Sequence, residues 1–139
     1  MGRLNLMAQG KFKDGFVNHD LTCYSDKIDC SFDLNKECWG ITYANKFDEI
    51  DGGRALNYVD SPIRFMDNAW KSLRKDGILR LIIMTEPNWN DLFFKRAYGI
   101  EAIILLANNN YSALKWEIME HKRFNNITKE YEIKFRKSF

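Results

Sequence analysis

The sequence predicts an α/β fold with a mostly parallel central sheet, an antiparallel C-terminal edge strand and helices on both faces. Short apolar runs alternate with amphipathic segments along the chain, which is typical of β-α-β crossovers. The run Ile78–Met84 is almost entirely apolar, as a parallel strand is when helices cover both sides of its sheet. The tail Ile127–Phe135 alternates between apolar and polar residues, which favours an edge strand.

The predicted strands are short apolar runs that end at an aspartate, a glycine or another turn residue. Because parallel α/β sheets bind ligands beyond the carboxyl ends of their strands, these end residues are the first candidates for a functional site. The predicted strands, in chain order, are Leu4–Met7, Phe16–Leu21, Lys27–Phe32, Phe47–Asp51, Ile78–Met84 and Ile127–Phe135.

Amphipathic segments between these strands predict the helices. The clearest is Ser61–Lys75, in which apolar residues recur at helical spacing. Ser61 suits the N-cap position, and the pair Asp76-Gly77 is a good stop signal. The other predicted helices are Asn90–Ala97, Ile100–Ala107 and Tyr111–His121.

The composition is that of an ordinary globular protein and predicts a single domain over residues 1–139. Hydrophobic residues make up 45% of the chain and charged residues 29%, which excludes a disordered chain. The formal net charge is +2, so no strong signal points to a nucleic acid as a partner. The apolar runs are much shorter than the roughly 20 residues of a transmembrane helix, so no membrane is expected.

The cysteines and histidines argue against a metal site. Cys23, Cys30 and Cys38 are an odd number of cysteines, and their spacings fit no zinc motif. We therefore expect reduced thiols, as in a cytoplasmic protein. The N-terminus has no apolar signal core, which agrees with a cytoplasmic location. No metal is predicted.

A series of short motifs follows in a fixed order through residues 3–84. They are Leu4–Leu6, Gly15–Leu21, Phe32–Asn35, Phe47–Ile50, Asp60–Pro62 and Trp70–Leu79. Their order and spacing resemble those of small class I S-adenosylmethionine (SAM)-dependent methyltransferases. Members of that family typically read Leu-Asn-Leu-Gly-Cys-Gly at the first strand and Gly-Phe-Val-Asn-Val-Asp-Leu at the second. Residues 85–139 resemble the family only loosely.

The resemblance implies a Rossmann-like methyltransferase fold and S-adenosyl-L-methionine as the cofactor. It places Asp20, at the end of the second strand, at the ribose hydroxyls with Leu21 beside it. It places Asp33, with Leu34, at the adenine. The alternatives are a turn-capping role for Asp20 and an Asx-turn at Asp33. The other cofactor-binding positions that the resemblance implies are Met7, Ala8, Gln9, Gly10, Asp51 and Gly52.

Two further residues are candidates for binding the substrate. Arg54 can hold a carboxylate or a phosphate with two parallel hydrogen bonds, and Trp89 can line an acceptor pocket. The alternatives are a solvated arginine at a helix start and a tryptophan in the core. No catalytic residue is predicted, because an in-line methyl transfer requires mainly that donor and acceptor are oriented.

The first loop departs from the family pattern. Aligned without gaps, the family's Gly-Cys-Gly falls on Met7-Ala8-Gln9, and Gly10 follows one place later. Glycines in that loop let the backbone approach the cofactor, because no Cβ intervenes. Two functions therefore remain open. One is a SAM-dependent methyltransferase with a small or unidentified acceptor. The other is a catalytically inactive binding or assembly module that has lost SAM binding and acts with a protein partner or as a homo-oligomer.

Overall fold

The structure, a computed structural model, describes residues 2–36, 38–88, 90–108, 115–125 and 129–138. Within these residues seven strands form one sheet. They are β1 (Arg3–Asn5), β2 (Val17–Asp20), β3 (Cys30–Ser31), β4 (Phe47–Gly53), β5 (Leu73–Met84), β6 (Glu117–Asn125) and β7 (Glu130–Arg136). The described helices are α1 (Trp39–Thr42), α2 (Pro62–Ser72), α3 (Ile100–Ala107) and a short 3₁₀ helix, Ala55–Asn57.

The strands lie in the order β3-β2-β1-β4-β5-β7-β6. Within the group β1 to β5, each strand is parallel to its neighbours. Strand β7 is antiparallel to both β5 and β6. The predicted α/β fold with a mostly parallel sheet and an antiparallel C-terminal strand is therefore confirmed. The tail strand is not the outermost strand, because β6 pairs along it and covers its outer edge.

The hydrophobic core lies on one face of the sheet. Leu79, Leu81 and Ile83 of β5 belong to it, and each is 0% exposed. Burial of such a side chain contributes about 2 kcal/mol, so this cluster is the main stabilising feature of the fold. None of the described helices is both long and apolar enough to cross a membrane. The residues that the α-helices add to the same cluster are Trp39, Phe65, Met66, Ala69, Ile103 and Ala107.

The opposite face of β4, β5 and β7 bears charged side chains. Asp51 of β4 lies opposite Arg80 of β5, and Arg80 also forms an ion pair with Glu132 of β7.

Between β1 and β2, and between β2 and β3, the chain forms loops at residues 6–16 and 21–29. The α-helices that the structure describes all contribute residues to the core cluster.

The start of α2 follows the local sequence signals, and its end does not. The Ser61 hydroxyl accepts a hydrogen bond from the backbone N–H three residues later, at 3.2 Å, which confirms the N-cap. The helix ends at Ser72 instead of Lys75. The reason is tertiary, since Leu73 already pairs with Phe47 of the neighbouring strand. The first residues of β5 were therefore wrongly predicted as the last turn of the helix.

Helix α3 is confirmed, but the two flanking helical predictions fail where the structure describes them. Residues 90–97 form no helix, because the Asp91 side chain accepts a hydrogen bond from the Phe93 N–H at 2.9 Å and holds a turn instead. In the predicted helix Tyr111–His121, residues 117–121 belong to β6, and residues 111–114 lie outside the described residues. Ile127 and Thr128 of the predicted tail strand also lie outside them.

Candidate functional site

A cavity of about 210 Å³ lies at the carboxyl ends of β1 and β4. The chain turns to opposite sides of the sheet after these two neighbouring strands, and such a switch point is where open α/β sheets bind ligands. The cavity is formed by β1 and the loop after it, by the end of β4 and by outward side chains of β5. The lining residues are Asn5, Leu6, Met7, Ala8, Gln9, Lys11, Lys13, Asp51, Gly53, Arg54, Ala55, Tyr58, Arg80 and Ile82.

The loop from Met7 to Gly10 is held against β2 by hydrogen bonds from its backbone. The Met7 N–H donates to Nδ1 of His19 at 3.2 Å, and the Ala8 N–H donates to the His19 carbonyl at 2.9 Å. The Gln9 N–H donates to Oδ2 of Asp20 at 2.8 Å. Three consecutive backbone donors thus have fixed partners, which gives this loop a defined path between the sheet and the cavity.

Three residues of this loop have left-handed backbone conformations, with φ of 50° at Met7, 49° at Gln9 and 83° at Gly10. For a residue other than glycine this conformation costs about 1 kcal/mol or more. Met7 and Gln9 occupy the two positions at which the resembling family has glycine. The backbone therefore keeps a conformation that suits glycine, although both glycines are replaced. Such outliers persist where the surroundings determine them, and they occur most often at functional sites.

The Asp20 carboxylate lies at the end of β2 and is only 8% exposed. It accepts three hydrogen bonds within the chain: from the Gln9 N–H, from the Leu21 N–H at 2.8 Å and from the Tyr24 hydroxyl at 2.9 Å. The side chain thus fixes the turn that follows β2, which is the turn-capping role named as its alternative. It is not among the residues that line the cavity.

His19, next to Asp20, connects the cavity loop with β3. Its Nδ1 accepts the Met7 N–H, so Nε2 bears the hydrogen and donates to the Phe32 carbonyl at 2.9 Å. Burial lowers the pKa of His19, although the Phe32 carbonyl and the Asp20 charge act in the opposite direction. The ring is therefore neutral, and it serves as a structural link between β1, β2 and β3.

Asp51 lies at the floor of the cavity in a cluster of charges. Its carboxylate forms ion pairs with Lys13 of the loop at residues 6–16 and with Arg80 of β5. Burial alone would raise the pKa of Asp51, but the Lys13 hydrogen bond and the Arg80 charge lower it below its usual value. Asp51 is therefore ionised, and it holds the loop at residues 6–16 against the sheet.

Arg54 lies at the rim of the cavity and binds a carboxylate of its own chain. It donates from Nε and from Nη2 to the two oxygens of Glu130 on β7, which is the bidentate geometry expected for anion recognition. Beside it, the Tyr58 hydroxyl donates to Asp91 at 2.7 Å. Burial and this hydrogen bond raise the pKa of Tyr58 to about 12, so the phenol stays protonated.

The remaining predicted residues that the structure describes do not line the cavity. Asp33 accepts the Asn35 N–H at 2.8 Å, which is the Asx-turn named as its alternative. Leu34 is part of the core, and Leu21 is 59% exposed. Gly52 packs against β5, since a Cβ there would lie 2.5 Å from a methyl of Leu81. Gly10 follows the lining residue Gln9, and Trp89 lies outside the described residues.

Sequence reasoning missed Lys13, Tyr58 and Arg80, which line the cavity. No local signal marks Lys13, and only the course of the chain brings it to Asp51. Arg80 gave a signal that could have been used, because it is the one charged residue in the otherwise apolar run Ile78–Met84. A charge in such a run indicates that one side of the strand is not covered by apolar structure.

Solved structures of methyltransferases share this fold at low sequence identity. A methyltransferase structure from Bacillus halodurans matches with a TM-score of 0.72 and 14% identity over 99% of this chain and 93% of that one. The N-methyltransferase NodS from Bradyrhizobium japonicum, in complex with S-adenosyl-L-homocysteine (SAH), matches with a TM-score of 0.69 and 15% identity, over 99% and 78% of the two chains.

A third match is a Haloferax volcanii methyltransferase in complex with the activator Trm112, at a TM-score of 0.69, 10% identity and coverage of 99% and 83%. No family model matches the chain, and no curated protein matches it. At these identities the structural matches establish the fold: the chain has the Rossmann-like fold of class I SAM-dependent methyltransferases.

Proposed function

We propose that this chain is a single-domain SAM-dependent methyltransferase that binds its cofactor at the carboxyl ends of β1, β2 and β4. The observation that supports this proposal most directly is the backbone of the loop Met7–Gly10. It keeps left-handed conformations beside the cavity, at the positions of the family's glycines. Residues held in such sparsely populated conformations occur most often at functional sites, which supports a function at that place.

In the proposed complex, the loop Met7–Gly10 faces the amino-acid end of the cofactor and Asp20 accepts the ribose hydroxyls. Asp33, after β3, faces the adenine, and Asp51 lines the site at the end of β4. Gly52, which the resemblance also implies, packs against β5 instead. The bound cofactor supplies an activated methyl group on a sulfonium sulfur. The chain's own contribution is orientation of the two reactants, which requires no general base unless the acceptor must lose a proton.

The charges that line the cavity favour the products of methyl transfer over the reactants. Lys11, Lys13, Arg54 and Arg80 line it, and Asp51 is the carboxylate among the lining residues. SAM loses the positive charge on its sulfur when the methyl group leaves. Arg54 and Arg80 also pair with Glu130 and Glu132, so the four cations face three carboxylates in all. The small remaining excess of positive charge stabilises the neutral thioether product relative to the sulfonium, and it suits an acceptor that has a carboxylate or a phosphate.

Calorimetric titration of the full chain with SAM and with SAH tests the proposal. The wild-type chain should bind both ligands, and binding should raise the midpoint of thermal unfolding. Asp20→Asn should weaken binding at least tenfold, because an amide cannot accept from all the donors that the carboxylate serves. Asp26→Asn, in the exposed part of the next loop, is the matched control and should bind like wild type. Absence of heat and of a thermal shift at millimolar ligand would refute the function.

A second candidate is a non-catalytic module with a methyltransferase-like fold. It is favoured by the fact that Asp20 and Arg54, the two side chains best suited to hold ligands, already bind groups of the chain itself. A module of this kind would bind neither SAM nor SAH. It would act through a protein partner or as a homo-oligomer, which sedimentation of the purified chain would detect.

A further inference from the structure

The carboxylate of Asp20 and the hydroxyl of Tyr24 form a contact that the function proposed above does not require. The Tyr24 hydroxyl donates to Oδ2 of Asp20 at 2.9 Å, the oxygen that also accepts the Gln9 N–H. Asp20 is 8% exposed, whereas Tyr24 is 56% exposed. The buried carboxylate of Asp20 thus accepts a hydrogen bond from Tyr24, whose side chain is largely exposed to solvent.

The Tyr24 hydroxyl and a ribose hydroxyl are equivalent donors toward this carboxylate. Each is an O–H group that can donate to the same oxygen at the same distance. Loss of one of its two donors costs this oxygen part of the compensation for its desolvation, because only the Gln9 N–H remains. In the ligand-free chain, Tyr24 prevents this cost, and a bound ribose would prevent it equally well. Tyrosine and ribose are therefore alternatives at a single position.

Tyr24 can leave this position without disturbing the sheet. It lies in the loop at residues 21–29, and the loop is anchored at its far end by hydrogen bonds between Asp29 and Asn18 of β2. Its ring centre is 6.4 Å from that of Phe12, a peripheral aromatic contact. A change of the side-chain rotamer in a half-exposed residue is fast and requires little energy.

We propose that Tyr24 is an autoinhibitory residue that occupies the ribose position at Asp20 and must move away before a nucleoside ligand binds. This inference rests on the proposed function, because it requires that the ligand has a ribose. It differs from that function in assigning Tyr24, which no motif marks, the control of affinity at the site. The ligand class is any nucleoside with free ribose hydroxyls, including SAM and SAH.

The test is calorimetric titration of the full chain with adenosine and with SAH, for wild type, Tyr24→Phe and Tyr131→Phe. Without the competing hydroxyl, Tyr24→Phe should bind both ligands about tenfold more tightly. Tyr131, whose hydroxyl accepts a hydrogen bond from Arg123 on β6, is the matched control, and Tyr131→Phe should bind like wild type.

The outcomes separate this inference from the proposed function. If the wild type binds and Tyr24→Phe binds equally or more weakly, Tyr24 is not autoinhibitory and the proposed function stands. If only Tyr24→Phe binds, the inference is supported in its strongest form. If no variant binds, both fail. Ring resonances of Tyr24, assigned by their absence in Tyr24→Phe, give a second measurement on the wild-type chain. They should shift toward solvent-exposed values with saturating adenosine, and unchanged resonances at saturation would overturn the inference.

Discussion

Arg80 of β5 and Glu132 of β7 form an ion pair of 2.7 Å on the face of the sheet that bears charged residues. The Arg80 guanidinium also donates to both oxygens of Asp51 on β4, at 3.2 Å each. One arginine thereby connects three neighbouring strands through two carboxylates that are almost fully buried. Its place in the sheet is the one that a packed helix would otherwise cover.

We expect Arg80→Met to destabilise the fold by about 2 kcal/mol. The substitution leaves Asp51 and Glu132 buried without their shared partner, and removal of one member of a buried pair costs several kcal/mol, reduced here because Arg80 is partly exposed to water. Urea unfolding measures the change. Arg74→Met is the control, since Arg74 pairs with Asp48 where both side chains are exposed, and it should change stability far less. Equal effects of the two substitutions would contradict the special position of Arg80.

Gln9→Gly should stabilise the chain by about 1 kcal/mol. Gln9 is exposed and has a φ of 49°, so glycine removes the cost of the left-handed conformation while little packing is lost. Gln9→Ala keeps the Cβ and should leave the midpoint of urea unfolding close to that of wild type. A loss of stability in Gln9→Gly would show that the glutamine side chain has a structural role of its own.

The free energy of unfolding should fall as the pH drops below about 6.5, because of His19. Burial lowers the pKa of His19 in the folded chain, so the unfolded chain takes up the proton first, at the usual pKa of about 6.5. Stability is then complete above that pH and is lost as the pH falls toward the folded-state pKa. Urea unfolding between pH 8 and pH 5 measures the effect.

Two histidine variants identify the titrating group. His19→Asn should remove most of the pH dependence in this range, whereas His121→Asn should preserve it, because His121 is exposed. The protonated His19 ring would also lose its ability to accept the Met7 N–H, so the loop Met7–Gly10 should show faster amide exchange at pH 5. A flat profile for wild type would contradict this account.

SAH should bind about tenfold more tightly than SAM, if the site binds them as we propose. The cations that line the cavity outnumber the carboxylates there, and they repel the sulfonium of SAM but not the neutral sulfur of SAH. Lys11→Glu should reduce the difference, whereas Lys36→Glu, at a residue that does not line the cavity, should not. Tighter binding of SAM than of SAH would show that the sulfur lies away from these charges.

The sequence predicted best where local signals and tertiary structure agree. Ser61 marks the start of α2 because an N-cap depends on residues close in the chain. The end of α2 depends on the pairing of Leu73 with Phe47, which no local signal contains. Residues 117–121 have a spacing that also suits a helix, but pairing with β7 makes them a strand. Tertiary contacts decide such ambiguous segments.

The candidate site shows the same division. The position of Asp20 at the end of β2 follows from the order of strands and turns. Its partner Tyr24 does not, because the loop at residues 21–29 has no regular secondary structure and its course depends on contacts of its own. Lys13 reaches Asp51 for a similar reason. The strand ends were therefore predictable from the sequence, whereas the loop residues that complete the site were not.

The charged face also determines which residues of β5 and β7 lie opposite each other. Arg80 pairs in register with Lys134 and Leu81 with Ile133. A slip by two residues would bring Leu81 opposite Phe135 and would still satisfy the apolar face. The same slip would place Glu132 four residues instead of two from the position that faces Arg80, so the ion pair between these two side chains could not form. The charges thus select one alignment among those that apolar packing alone would accept.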